Sequence, residues 1–272
     1  MHIPRAWARA EADAQHDGRS FRISVWGWGD DDAAARVSAK ERLARAMDRV
    51  RRGEPLPRGY GYGNRPLREE ILQRLDEAAL VTRNSYGAKV LNVAGLIFLD
   101  IDLAPLSLMG VLRKLFAGRG AEAEALGKLR EGLARYNRAS FRIYRTASGL
   151  RAMALDRELD PAGREAQDLM RATGTDPAFA RLCVAQKSFR ARLTPKPWRC
   201  GSRPPPGVYP REDPDMRRRF ADWLADYEKR SARYATCRYL ETFGSSGPRG
   251  AAARFLELHD RETRAGADLP LA

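Results

Sequence analysis

The segment Leu96–Asp102, LIFLDID, limits the fold more than any other stretch of the chain. Four apolar residues lead into two carboxylates spaced i, i+2. The branched and aromatic content suits a buried strand. Only an extended backbone puts residues i and i+2 on one face. Asp100 and Asp102 then project together from the end of a strand whose remaining positions belong to a core. That end has to meet either solvent or a counter-charge.

Two further segments offer the counter-charge: Arg142–Arg151, RIYRTASGLR, and Ser188–Arg199, SFRARLTPKPWR. In the first, Arg145, Thr146, Ser148 and Arg151 surround Gly149. The glycine lets backbone N–H groups come close to a phosphate, and the hydroxyls and guanidinium groups add donors. The plainer alternative is a hairpin turn with solvated arginines. In the second, Arg190, Arg192, Lys196 and Arg199 carry charge, while Phe189, Leu193 and Trp198 anchor the strip. Pro195 and Pro197 hold part of it extended. Such a strip suits phosphates with a base stacked on the aromatic; the alternative is a surface strip with a buried Trp.

Paired carboxylates ligate Mg²⁺ or Mn²⁺, which prefer oxygen donors. Beside a basic wall they suit phosphoryl transfer. The competing reading has Asp100 paired with an arginine and Asp102 capping the turn at Ala104 and Pro105. Other chemistries lack support. The histidines, His2, His16 and His259, are far apart and form no HExxH or Ser–His–Asp pattern, and His259-Asp260 reads as a surface pair. Cys183, Cys200 and Cys237 show no CxxC spacing, so free thiols in a reducing cytoplasm are expected. The loop around Tyr60 and Tyr62 lacks the Lys-Ser/Thr of a P-loop.

Charge points the same way. Lys and Arg number 49 against 35 Asp and Glu in 272 residues, a net +14 that favours a polyanionic partner such as single-stranded DNA or RNA. The N-terminus carries charge throughout and has no apolar signal core, and the longest apolar stretch is too short to span a bilayer. The expectation is a cytoplasmic protein with no membrane partner.

The order of the three segments resembles the archaeo-eukaryotic primase superfamily, and especially the polymerase domain of bacterial end-joining DNA ligases. Those proteins carry a hydrophobic-DxD metal motif, a Ser-Gly strand ending in His, then an acid followed by a basic S-h-R-A-R-like segment. Asp100 and Asp102 match the first motif, Ser148-Gly149-Leu150-Arg151 stands at the second, and Ser188-Phe189-Arg190-Ala191-Arg192 resembles the last. The similarity spans residues 90–200. It implies metal-dependent nucleotidyl or phosphoryl transfer on nucleic acid, with Asp100 and Asp102 as catalytic metal ligands. Mg²⁺ or Mn²⁺ would be the cofactor and a nucleotide a partner. The motif's His is absent, Arg151 being the nearest polar substitute, and Asp176 is the nearest third acid, with its Thr-Asp-Pro setting reading alternatively as a helix cap. The alternative is a non-catalytic protein that binds single-stranded nucleic acid on the same scaffold. A third reading is a basic surface that docks an acidic protein.

The element pattern gives an α+β class with an RRM-like, primase-type core sheet and flanking helices. Residues 1–80 form an N-terminal element, 81–200 the core, and 201–272 a Pro-rich linker with a C-terminal helical element. Residues 1–18 read as a short helix or arm and 21–28 as a strand. Asp30, Asp31 and Asp32 read as the cap of a helix over 33–52. Helices are also predicted over 66–80, 107–117, 121–137, 161–173, 177–185, 214–233 and 251–264. Strands are predicted within 87–99, 142–153, 189–193 and 234–243.

Overall fold

Alternating small and large residues open the chain. In a computed structural model, which describes residues 1, 3–16, 18–54, 66–103, 120–136 and 139–272, they form β1 (Ala6–His16). This strand pairs along its whole length with β2 (Arg19–Gly29), from Ala6 opposite Gly29 to His16 opposite Arg19. Where a helix or arm is expected over 1–18, Ala6–His16 is therefore a strand. The alanines of AWARAEADAQH carry helix propensity, but propensity is a weak preference and full-length pairing with β2 overrides it. Helix α1 (Asp32–Arg51) follows, and the Asp31 side chain accepts from the Ala34 amide at 2.8 Å, as the acidic cap predicts. Ala14, Ile23 and Val50 form a small core of this unit.

Two four-stranded sheets, antiparallel throughout, make up the rest of the β-structure among the described residues. One has the order β3 (Glu70–Arg74), β4 (Ala79–Arg83), β5 (Lys89–Val93), β9 (Phe189–Arg192). The helix predicted over 66–80 is thus a strand, a turn and the start of a second strand. Asp76 sets the turn by accepting from the Ala78 amide, and Glu69 is drawn inward by Arg190, a partner 121 residues away. The other sheet has the order β10 (Cys237–Phe243), β7 (Phe141–Thr146), β8 (Gly149–Ala154), β6 (Phe98–Asp102). The boundary expected at 80/81 falls inside β4, and the C-terminal third contributes β10 to the sheet that carries the acid pair.

Helices α2 (Gly120–Ala134), α3 (Arg164–Ala172), α4 (Pro177–Gln186), α5 (Pro214–Ser231) and α6 (Gly250–Thr263) complete the architecture. The class is mixed α+β. One main core joins both sheets: Leu91, Val93, Phe189 and Ala191 pack in the same cluster as Leu99, Ile101, Phe141 and Ile143. Leu129 and Leu133 of α2, Leu169 of α3 and Phe255 of α6 enter it too. The helix predicted over 107–117, the turn at Ala104 and Pro105, and the tyrosines Tyr60 and Tyr62 lie outside the described residues. Among the described residues no helix is long and apolar enough to cross a membrane.

Candidate phosphate and metal site

Register decides which predicted residues meet. Across the sheet that carries the acid pair, Asp100 stands opposite Arg151, Arg151 opposite Tyr144, and Tyr144 opposite Tyr239. Residues opposite one another in adjacent strands point to the same face, so these four form one row. Asp102 stands opposite Gly149. A side chain at that position could not be accommodated, because a Cβ would lie 1.9 Å from the Ile101 carbonyl oxygen. The glycine therefore lets the β7–β8 turn close on the end of the acid strand, where Leu103 donates its amide to the Ser148 carbonyl at 3.0 Å.

Arg151 is 1% exposed. Its Nε donates to Asp100 Oδ1 at 2.9 Å, its Nη2 reaches Oδ2 at 3.5 Å, and its Nη1 donates to the Arg192 carbonyl at 2.9 Å. Burial on its own would lower its pKa, but Asp100, with Cys237 and Tyr144 adding to it, raises it. The expectation that Arg151 is a donor to phosphate is therefore corrected. Its donors are taken by Asp100 and by the other sheet, so it positions Asp100 and ties β8 to β9. The reading in which Asp100 pairs with an arginine holds at this position.

The remaining residues separate into two groups. Asp102 lies at the solvent edge, with its carboxyl partly enclosed. Burial raises its pKa, with Asp176 and Asp100 adding to the rise, while Lys196 and Arg199 oppose it. Lys196 mirrors this: burial lowers its pKa first, then Arg192 and Arg199, while Asp102 and Asp100 pull the other way. Arg192 is pushed down to about 10 by burial, then by Arg151. Arg199 donates from Nη2 to Ser148 Oγ at 3.0 Å, which joins the second segment to the third. Among the described residues, Arg192 Nε and Arg199 Nη1 are buried donors that find no hydrogen-bond partner.

Three predicted residues stand elsewhere. Arg145 alternates with Tyr144, so it projects from the opposite face of the sheet, where it pairs with Glu122 of α2 at 3.0 Å. Thr146 shares the Tyr144 face at the end of β7, opposite Cys237. Arg190 is buried, and its Nη2 donates to both oxygens of buried Glu69 at 2.7 and 2.8 Å. That guanidinium is closed off by an internal ion pair rather than offered to nucleic acid. Glu69 in turn accepts from Thr82, and Thr82 from Asn92, so the pair ends a buried polar chain.

Asp176 approaches through its backbone, its amide donating to the Asp100 carbonyl at 2.9 Å. Its two carboxylate oxygens accept the Ala178 and Phe179 amides at the start of α4. This is a helix cap, and it corrects the third-ligand expectation. Among the described residues no group of three His, Cys, Asp or Glu side chains is placed to hold a metal ion.

Two residues with no part in the sequence pattern border the site. His259, expected at the surface, is fully buried against Phe98 and Tyr144, and Asp260 bonds both His259 and the Tyr144 hydroxyl. Tyr86, in the β4–β5 turn, meets Trp198 edge to face at 5.2 Å. Trp198, which one reading of the strip would have buried, is exposed. The pairing of Tyr86 with a residue 112 positions later leaves no trace in local sequence. Comparison of the chain with protein-family models, with curated proteins and with solved structures returned no match.

Proposed function

We propose that this protein is a divergent, primase-polymerase-like enzyme that carries out metal-dependent nucleotidyl or phosphoryl transfer on nucleic acid. One observation carries the reading: the unpartnered donors of Arg192 and Arg199 share a site with Lys196 and with the acid pair Asp100 and Asp102. Buried N–H donors without partners cost free energy, and an anion such as phosphate would satisfy them. The sheet β10-β7-β8-β6, with α2 and α3 packed on each other beside it, is the RRM-like, primase-type core in this reading.

Asp102, with Asp100, would hold Mg²⁺ or Mn²⁺. Magnesium is commonly bound by one or two carboxylates together with substrate phosphates, so a third acid is not required. When bound, the metal neutralises charge on the transferred phosphoryl group and activates the attacking hydroxyl. Arg151 bonds Asp100 Oδ1 at 2.9 Å and reaches Oδ2 at 3.5 Å, so a cation would share Asp100 with this arginine. Lys196, Arg192 and Arg199 bind phosphate oxygens, and Ser148 orients Arg199. Lys196 sits between the acids and the arginines and faces both signs of charge.

The second reading is a non-catalytic protein that binds single-stranded nucleic acid through the same cations. It is favoured by the capping role of Asp176, which leaves only two acids. A thermal-shift titration separates the two. Mn²⁺ is expected to raise the melting temperature of the wild type, and Asp100→Ala or Asp102→Ala to remove that rise. No rise in the wild type, or an equal rise in both variants, would sink the enzymatic reading.

A further inference from the structure

Two large aromatic rings stand together at the surface, beside a cation. Trp198 is 50% exposed and Tyr86 is 42% exposed. Their centroids are 5.2 Å apart and their planes cross at 82°. Lys196 Nζ lies 5.6 Å from the centre of the Trp198 ring.

Both rings are held by structure rather than by loose loops. Tyr86 rides on a tight turn in which the Asn84 side chain accepts from the Tyr86 and Ala88 amides, each at 3.0 Å. Gly87 in this turn has φ +85°, and a Cβ there would strike the Trp223 ring at 2.2 Å. Trp198 sits in a single 3₁₀ turn, Pro197–Arg199, whose Arg199 is bonded to Ser148. Trp198 therefore lies between two residues, Lys196 and Arg199, that act on Asp102.

We infer that Tyr86 and Trp198 form a stacking platform for a base of single-stranded nucleic acid whose backbone phosphates lie on Lys196 and Arg199. Three features favour this occupant over an apolar peptide. An edge-to-face pair leaves ring surface open to a flat partner. The flanking side chains are cations, and the whole chain carries +14. Every base presents a π-face, so aromatic stacking next to a basic strip binds single strands without regard to sequence. The inference rests on the phosphate-binding part of the proposed function and adds the base to it.

The test compares two ligands: an oligodeoxythymidylate, and the same sugar-phosphate backbone without bases. Wild-type protein should bind the intact strand more tightly. Trp198→Ala and Tyr86→Ala should each weaken that binding roughly tenfold or more, leave the abasic strand unchanged, and keep the wild-type circular dichroism. Trp198→Phe should restore most of the loss. Equal wild-type affinity for the two strands, or no effect of either alanine variant on the intact strand, would overturn the platform and leave phosphate binding standing. Binding of neither strand would overturn both.

Discussion

Arg151 and Asp100 face each other across β8 and β6 at 2.9 Å, with the arginine closed off from solvent and bonded onward to the Arg192 carbonyl of the second sheet. The acid that would ligate metal is therefore also the acid that neutralises the most buried cation of the site. Removing one partner of a buried pair strands the other, at a cost of about 3–5 kcal/mol. Arg151→Met is expected to destabilise by about that amount in denaturant unfolding. Asp100→Asn should cost at least as much, since it leaves the fully buried Arg151 guanidinium without its counter-charge. The double variant should recover part of the loss. Strict additivity of the two substitutions would show that the pair is not coupled.

Glu69 and Arg190 should behave as structure alone. Glu69→Gln is expected to cost about 3 kcal/mol or more, because it leaves a buried guanidinium without its counter-charge. It should leave the salt dependence of oligonucleotide binding unchanged. Lys196→Ala and Arg199→Ala should do the reverse: little change in stability, weaker binding, and a salt slope reduced by roughly one for each phosphate no longer neutralised. A reduced slope for Arg190→Met would return that arginine to the binding surface.

How much of this can be read from the sequence depends on range. The i, i+2 spacing of Asp100 and Asp102 is a strand-period signal, and β6 carries it as read. The acidic cap at Asp31 and the αα segment 161–186 are likewise local patterns. What could not be read is set by which strands pair and which face each residue takes. Glu69 turns inward for Arg190, and that turns a predicted helix into a strand pair. Arg145 is lost to the site because one residue of alternation puts it on the other face. Ala6–His16 is a strand because β2 pairs with it, against the helix preference of its alanines.

Asp102 should respond to protons and metal in opposite senses. Its folded pKa lies above the usual carboxylate value, raised by burial and by Asp176 and Asp100. The folded protein thus holds this proton more firmly than the unfolded chain, and ionised Asp102 opposes folding once pH passes its raised pKa. Asp102→Asn is expected to raise the melting temperature of metal-free protein at neutral pH and to remove the stabilisation by Mn²⁺. Wild-type Mn²⁺ affinity should fall as pH drops through the Asp102 pKa, since proton and metal compete for the same oxygens. A lower melting temperature for Asp102→Asn would mean that the carboxylate serves the fold.

His259 gives the pH dependence a second component. Burial lowers its pKa, although the bond with Asp260 resists this, with Arg151 and Asp100 adding opposite charge effects. The unfolded chain takes up this proton as pH falls below about 6.5, and the folded protein does so only at lower pH. Stability from this group is therefore full above about 6.5 and declines as pH falls towards the folded value. His259→Gln should flatten that part of the stability curve in denaturant unfolding at several pH values. Asp260, held below its usual range against burial by His259, Tyr144 and Arg142, adds its own loss only at more acidic pH. An unchanged slope in His259→Gln would assign the decline to other groups.

The most direct measurement follows a label. Wild-type protein is incubated with Mn²⁺, a nucleoside triphosphate labelled on its α-phosphate, and a single-stranded oligonucleotide. Label is expected to move to the oligonucleotide, and the transfer to vanish on chelation and in Asp102→Asn, a variant expected to stay folded. No transfer with any divalent metal, or full transfer by Asp102→Asn, would contradict metal-dependent nucleotidyl transfer at this site.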